Sequence, residues 1–267
     1  MVDINIRQET PADYYAVEVL TREAFWRGFW GKGQTICNEH LLVHKLRNVE
    51  AFIPELSLVA EIDNKIVGHI IYSKSKVVDN SGVEHELLTF GPLSTHPEFK
   101  WRGIGQALMN HSFEKARGLG FRAVIIFGYP DYYPKVGFLP AGEFGITTAW
   151  GTTFDAFMAK ELYPNALDGI NGKYYLDPIY EQMTQEDALE YDKKFPPKEI
   201  FVHIPIEVLL SRLTPDARKE VEELDFKTLA TLAGKSERTL RTLPSVCDET
   251  IETIKTVLRE HGYAWGK

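Results

Sequence analysis

Alternation opens the chain: Val2, Ile4 and Ile6 are apolar and Asp3, Asn5 and Arg7 polar, the period of two expected of a half-buried strand. The period then lengthens. Thr10 can cap a helix whose first position suits Pro11, and Tyr14, Val17, Leu20 and Ala24 recur at helical spacing until Gly28, Gly31 and Gly33 end the pattern. A second short helix is expected from Glu39 to Arg47, capped by Asn38, with Leu41, Leu42 and Leu46 facing inward. Leu56 to Ile62 and Ile66 to Tyr72 flank the turn Asp63-Asn64-Lys65 and read as an antiparallel hairpin. A third strand, Leu87 to Thr95, follows the polar turn at Asn80-Ser81-Gly82. From Arg102 to Leu119, Ile104, Leu108, Ala116 and Leu119 form one apolar stripe, with Gln106, Asn110, Glu114 and Arg117 opposite. Gly118 and Gly120 stop this helix, and Ala123-Val124-Ile125-Ile126-Phe127 is a continuous apolar run of the kind a buried parallel strand shows.

Gly128 to Phe138 predicts a short helical turn between strands, and Phe154 to Leu162 and Gly172 to Leu176 predict two more strands. The order implies an α+β fold with a mixed central sheet and helices on both faces. From Met183 the texture changes to Thr184-Gln185-Glu186-Asp187 and then Lys193-Lys194-Phe195-Pro196-Pro197-Lys198, which reads as a linker. Beyond Leu209 the stripes are helical: Leu213, Ala217, Val221 and Leu224; Leu229, Leu232 and Ala233; Leu240 and Leu243; Ile251, Ile254, Val257 and Leu258. The expected domains are therefore 1–182, a linker at 183–209, and a small all-α module at 210–267.

Composition narrows the function. With 44% hydrophobic residues in 267, the chain can fill a sizeable core. A formal charge of −8 argues against a nucleic-acid or membrane footprint over the whole surface. Cys37 and Cys247 stand far apart, without metal-type spacing or a disulfide framework, so no metal is expected and a reducing compartment is. No apolar run approaches the roughly 20 residues of a membrane span, and no signal peptide precedes Ile4, so the expected location is cytoplasmic.

Candidate chemistry concentrates at Lys100-Trp101-Arg102-Gly103-Ile104-Gly105-Gln106, between a strand and a helix. Two glycines at a helix mouth let backbone approach a ligand, and the unpaired N–H groups of the first turn then suit a phosphate. The same glycines could serve only to turn the chain. A dinucleotide fingerprint fails on context: seven residues, His96 to Arg102, separate strand from glycines, and the next strand ends Ile126-Phe127-Gly128 without a carboxylate. No Lys-Ser or Lys-Thr follows the glycines, which excludes a nucleotide-hydrolysing P-loop. A second cluster, Phe25, Trp26, Phe29 and Trp30, is either core or the wall of a pocket for an apolar or cationic group.

The run Gly91 to Leu108 resembles the acetyl-CoA-binding motif of the GNAT N-acetyltransferases, Gln/Arg-x-x-Gly-x-Gly/Ala, with Lys100 in place of the first residue and Gly103 and Gly105 matching. Tyr132-Tyr133-Pro134-Lys135-Val136-Gly137-Phe138 resembles the family's Tyr-x-x-x-Gly-Phe element, and the likeness covers about residues 1 to 180. The resemblance implies a GNAT fold and an acetyl-CoA-dependent N-acetyltransferase acting on a primary amine of a small molecule or peptide. It implies that the pyrophosphate rests on the N–H groups from Trp101 to Gln106, aided by Lys100 and Arg102, and that the pantetheine arm lies along Leu93, Ser94 and Thr95, pairing with Leu93 and Thr95. It gives Tyr133 the role of general acid, with Tyr132 the alternative. The acceptor is expected near Phe25, Trp26, Phe29 and Trp30. The general base is open among Glu86, His85, Glu23 and water, while His96 before Pro97 is expected to shape the bend.

The segments from Leu213 to Gly262 are similar, in their hydrophobic frame, to the C-terminal domain of the RNA polymerase alpha subunit, a helix-hairpin-helix fold. The DNA-contacting relatives carry a glycine-and-lysine hairpin where this chain has Ser245-Val246-Cys247-Asp248-Glu249-Thr250. Nine Lys/Arg against ten Asp/Glu from Leu213 onward remove the electrostatic term that supplies DNA affinity. Nucleic acid is thus an unexpected partner, and a homodimer is left open. The alternative function is a non-catalytic GNAT-like scaffold binding nucleic acid or a transcription protein through this module.

Overall fold

A computed structural model describes residues 4–26, 36–198, 204–233, 235, 237–261 and 263. They fall into two compact units, one ending at Pro196 and the other made chiefly of residues from 197 onward.

The first unit is built on a mixed sheet. Its strands are β1 (Asn5–Gln8), β2 (Leu58–Ile62), β3 (Lys65–Val78), β4 (Glu84–Thr95), β5 (Ala123–Phe127), β6 (Leu139–Pro140), β7 (Ile146–Thr148), β8 (Phe157–Glu161) and β9 (Gly172–Tyr175). The order is β1-β2-β3-β4-β5-β8-β6, with β9 joining the far half of β3 and pairing with β7. β4 and β5 run parallel, as do β7 and β9, and the remaining pairs are antiparallel. The short β6 and β7 have too few residues to show a period, so the sequence pattern does not reveal them.

Helices cover both faces. α3 (Ile104–Gly118) buries Ile104, Leu108, Met109, Phe113 and Ala116 against Leu58, Ile70, Tyr72, Leu88, Val124 and Ile126. On the other face, Val17 of α1 (Tyr14–Phe25) and Leu42, Val43 and Leu46 of α2 (Glu39–Leu46) pack on Val59 and Ile71. Between α1, α2 and the sheet lies a buried charge network. The Arg47 guanidinium bridges Glu9 at 2.5 Å and Glu18 at 2.7 Å, and Ser57 donates to Glu9 at 2.6 Å.

The expected linker at 183–209 is corrected in its first half. Residues Gln185–Asp192 form a helix, α4, opened by a reciprocal cap between Thr184 and Asp187. α4 belongs to the first unit: the Tyr191 hydroxyl donates to Glu18 at 2.8 Å, and Asp192 accepts two hydrogen bonds from Arg22 at 2.6 and 2.8 Å. α4 reads as loop in the sequence because its apolar positions are few, while the Thr-x-x-Asp cap signal is present.

In the second unit, described by itself, the helices are α5 (Glu207–Leu210), α6 (Pro215–Glu223), α7 (Leu229–Ala233), α8 (Glu237–Leu240) and α9 (Asp248–Glu260). Leu209, Val221, Leu229, Leu232, Leu240, Ile251, Ile254 and Val257 form its core. Among the described residues no helix is long and apolar enough to cross a membrane.

Candidate active site

β4 leaves its neighbour midway. It pairs with β5 at a single register, Leu88 opposite Val124, while its pairing with β3 continues to Thr95 opposite Gly68. Between Phe90 and Leu93 the β4 register gains one residue over β3, a bulge at Gly91-Pro92. Pro92 has no N–H to donate, and a bulge bends and twists the bulged strand, so β4 swings off β5 here. The His96 N–H donates to Val67 at 2.9 Å. By the period of two, Ser94 also faces β3, and the backbone groups of Leu93 and Thr95 face the open edge.

The other wall of this opening is the N-terminus of α3. Gly103 caps it at φ 81°, a left-handed conformation that a side chain would resist. The first helical hydrogen bond runs from Ala107 to Gly103 at 2.9 Å. None of the N–H groups from Trp101 to Gln106 donates to a protein acceptor among the described residues. Gly105 keeps the space clear: a Cβ there would stand 3.1 Å from the Tyr132 hydroxyl, 3.7 Å from Leu93 Cδ2 and 3.8 Å from Thr95 Oγ1. The Gly103–Gly105 turn, the free edge of β4 and the tyrosine pair therefore meet at one place.

Tyr133 begins a 3-10 turn that ends at Gly137, and Phe138 behind it is fully buried. Its ring packs against Phe90 and Phe138, with centroids at 5.9 and 5.6 Å, and lies flat on Gly128. A Cβ on Gly128 would come within 2.2 and 2.4 Å of its ring carbons. Burial, and then the neighbouring Tyr132 and Tyr129, push the Tyr133 phenol above its usual value, so it stays protonated. Burial also raises Tyr132. Neither hydroxyl has a hydrogen-bond partner in the protein among the described residues. The role of Gly128 is missed in the sequence, where its only signal is a glycine placed directly after a buried strand.

The remaining predicted site residues divide. Ser94 does not offer a free polar group: its hydroxyl donates to Thr21 at 3.0 Å and the residue is fully buried. Ile104 is buried in the core and offers its N–H alone. Lys100, Arg102 and Gln106 are exposed, with the Arg102 guanidinium 5.0 Å over the Phe99 ring. Trp101 is 97% exposed at φ 68°. Phe25 is half-buried and Trp26 is buried under Arg22, 4.4 Å from the ring centroid, so Trp26 is not a free wall. Phe29 and Trp30 lie outside the described residues. Of the base candidates, Glu86 pairs with Lys74 at 2.9 Å and His85 with Asp79 at 3.1 Å, both at the hairpin end remote from the opening. Glu23 sits in the last turn of α1. The His96 Nδ1 accepts the Glu98 N–H at 3.3 Å, which shapes the bend before α3.

Two other features do no such chemistry. Cys37, His40 and Asp192 stand in the order of a nucleophile triad, at 3.7 and 3.3 Å. Burial pushes the thiol up and the His40 imidazole down to about 4, so no thiolate-imidazolium pair forms there. A cleft of about 660 Å³ lined by Asn110, Phe113, Arg117 and Lys160 opens along the C-terminal half of α3 and includes none of the cradle residues.

The splayed mixed sheet, with the open N-terminus of α3 beside the gap between β4 and β5, has the architecture of a GNAT-type acetyltransferase fold. Residues 22–139 match the model of the acetyltransferase (GNAT) family. The chain is 28% identical over 168 residues to the uncharacterized N-acetyltransferase YhbS of Escherichia coli strain K12, covering 62% of this chain and 92% of that protein. The crystal structure of Escherichia coli YhbS in complex with CoA superposes with a TM-score of 0.59 at 24% identity, over 69% of this chain and 95% of that one. A GNAT family acetyltransferase from Brucella melitensis, solved in complex with acetyl-CoA, superposes with a TM-score of 0.53 at 26% identity, over 67% and 99%. The protein is an N-acetyltransferase.

Proposed function

We propose that the chain binds acetyl-CoA across the Gly103 turn and the open edge of β4, and passes the acetyl group by direct attack to a primary amine of a small molecule or peptide in a ternary complex. The observation that carries this reading is the run of six unspent N–H groups, Trp101 to Gln106, beside the edge of β4 where the outward backbone groups of Leu93 and Thr95 face no strand on the β5 side. The cradle suits a diphosphate: the helix N-terminus carries roughly half a positive charge, and Lys100 and Arg102 flank it. Relatives of the same fold are solved with CoA or acetyl-CoA.

Bound acetyl-CoA supplies an activated thioester. In this reading the N–H groups of Trp101 to Gln106 hold its pyrophosphate, and the outward backbone groups of Leu93 and Thr95 hydrogen-bond the pantetheine amides. The Tyr133 hydroxyl, kept protonated by burial, donates to the thiolate sulfur as it leaves. A thiol near pKa 8.5 is a good leaving group, so a hydrogen bond from a weak acid suffices. The incoming ammonium loses its proton to water in this reading, because Glu86 and His85 are paired at the remote hairpin end and Glu23 is itself engaged.

Nothing favours the non-catalytic scaffold. α9 begins with Asp248 and Glu249, which repel a phosphate at the helix end that would otherwise attract one. We read residues 210–267 as a helix-hairpin-helix-like module without nucleic-acid affinity, and the two unpaired cysteines as fitting a reducing, cytoplasmic setting. Titration calorimetry of the full chain with acetyl-CoA tests the proposal, followed by an amine screen that reads free CoA thiol. Saturable binding and release of thiol with an amine are expected; absence of acetyl-CoA binding refutes the reading.

A further inference from the structure

β5 presents its last residues to two sides. Val124 and Ile126 join the core under α3, where Tyr133 also packs, whereas Ala123 and Ile125 join the core on the opposite face with Phe157 and Tyr174. Phe127 follows this alternation, and its ring lies 5.1 Å from Phe157 and 6.2 Å from Tyr174. Yet Phe127 is 46% exposed. Phe154, 49% exposed, stacks beside it with centroids at 6.0 Å and planes 24° apart.

The two open rings are held from behind. Phe157 and Tyr174 are buried, their rings 5.6 Å apart, and the Tyr174 hydroxyl donates to the Ile125 carbonyl at 3.2 Å. Backbone bonds fix the edges: the Gly128 N–H donates to Ala156 at 2.8 Å and the Phe157 N–H to Phe154 at 2.9 Å. The result is a shelf of two stacked phenyl rings, anchored by these backbone bonds, left in water although an apolar core lies directly behind them. Its position is what matters. Phe127 immediately precedes Gly128, the residue on which the Tyr133 ring rests. One residue step past the end of β5 therefore separates Phe127 from the glycine under the Tyr133 ring, and the two rings pack with the cores on opposite faces of the sheet.

We propose that Phe127 and Phe154 form the acceptor subsite, and that the acceptor is a monoamine carried on a flat aromatic group. The inference rests on the acetyl-CoA reading above. In that reading the thioester lies in the gap between β4 and β5, near the end of β5. An amine stacked on Phe127 reaches the carbonyl carbon from the shelf side, its nitrogen forming the new C–N bond as the C–S bond breaks. The thiolate departs toward Tyr133 on the other side and takes its proton, while the amine's proton passes to water, which later restores the phenol. Rings select the class of acceptor. Offset stacking and cation–π contact reward a planar body with a single ammonium. A polycation would need a cluster of carboxylates, whereas the two segments that adjoin the rings, Gly128 to Tyr133 and Trp150 to Phe157, supply one each, Asp131 and Asp155. The shelf replaces the pocket expected at Trp26, whose ring Arg22 covers.

The test uses the full chain with saturating acetyl-CoA and two probe amines, 2-phenylethylamine and spermidine, read by release of CoA thiol. Binding without turnover is followed by saturation-transfer NMR on the phenyl protons of 2-phenylethylamine in the presence of CoA. The expected result is at least about tenfold higher kcat/KM for 2-phenylethylamine than for spermidine. Phe154→Ala should raise KM for 2-phenylethylamine by about tenfold, with kcat changed much less, because stacking holds the acceptor rather than the transition state. Phe127→Leu, which keeps the apolar volume behind it, should raise KM in the same sense. Unchanged KM in both variants, or preference for spermidine, overturns the shelf. Binding of acetyl-CoA with neither turnover nor saturation transfer of 2-phenylethylamine also overturns it and leaves the enzyme reading standing, whereas loss of acetyl-CoA binding itself fells both.

Discussion

Replacing Gly128 with alanine isolates the proposed acid from the rest of the site. The new methyl would sit 2.2 and 2.4 Å from Tyr133 Cε2 and Cδ2. Ordinary carbon contacts need about 3.5 Å, so the ring must retreat by roughly 1.3 Å. It has little room to do so, because Phe90, Phe138 and Tyr132 surround it with centroids at 5.9, 5.6 and 5.1 Å. Overpacking of this kind costs on the order of 1–3 kcal/mol of stability, and a displacement of about 1 Å at a reacting group costs on the order of a hundredfold in rate. The cradle lies on another element, so acetyl-CoA affinity by calorimetry should change less than about threefold. kcat, measured by thiol release with an amine found in the screen, should fall about a hundredfold. Tyr133→Phe should fall comparably. The decisive comparison is the double variant: if Gly128 acts only by positioning the Tyr133 hydroxyl, Gly128→Ala in the Tyr133→Phe background should cost almost nothing more. A Gly128→Ala enzyme within about threefold of wild-type kcat, or full additivity in the double variant, would refute the assignment of Tyr133.

Three further outcomes follow from the same structure. Gly103→Val forces a β-branched residue into φ 81°, at a cost of roughly 1–2 kcal/mol, and should weaken acetyl-CoA binding in calorimetry at least about tenfold, with Gly105→Leu doing the same by filling the cradle; wild-type affinity in both would exclude the turn as the pyrophosphate site. Arg47→Met strands two buried carboxylates, Glu9 and Glu18, and should cost about 3–5 kcal/mol in urea unfolding at pH 7. Burial pulls the Glu9 carboxyl up, but hydrogen bonds and charge from His69 and Arg47 hold it down at about 2. Glu9 is therefore depressed on folding, and its contribution is present above the ordinary carboxylate value near 4.3 and lost as pH falls toward 2; urea unfolding at stepped pH should show this decline in wild type, and a flat profile would count against the network. Finally, the full chain should show no salt-sensitive retention on duplex DNA, given nine basic and ten acidic residues from Leu213 onward; retention at low salt with a steep salt slope would revive a nucleic-acid role.

What the sequence disclosed, and what it hid, follows the range of the interactions involved. Ala123–Phe127 and the helix opened by Gly103 lie where the apolar period puts them, because each is set by residues within one element. The opening between β4 and β5 is half legible: Gly91-Pro92 inside an apolar run marks a bulge, but only pairing with β3 and β5 shows which edge is left free. The spacing to Gly137 singles out Tyr133, whereas the structure puts Tyr132 against Gly105 and Tyr133 against Gly128, two contacts that no spacing encodes. Whether an aromatic pair stands open is set at longer range still. Phe25 and Trp26 look like a pocket because they are aromatic and adjacent, yet the fate of Trp26 depends on Asp192, 170 residues from Arg22. Asp192 accepts two hydrogen bonds from the guanidinium and holds it at 4.4 Å over the indole, covering that ring. Phe127 and Phe154, 27 residues apart and joined only by sheet pairing and a loop, stay open instead. Removing the clamp separates the two walls: Asp192→Asn should loosen Arg22 and expose Trp26 to a fluorescence quencher such as acrylamide. If the aromatic acceptor sits on Phe127, its KM should stay within about threefold in that variant, whereas a fall in KM as Trp26 becomes exposed would return the acceptor to the wall at α1.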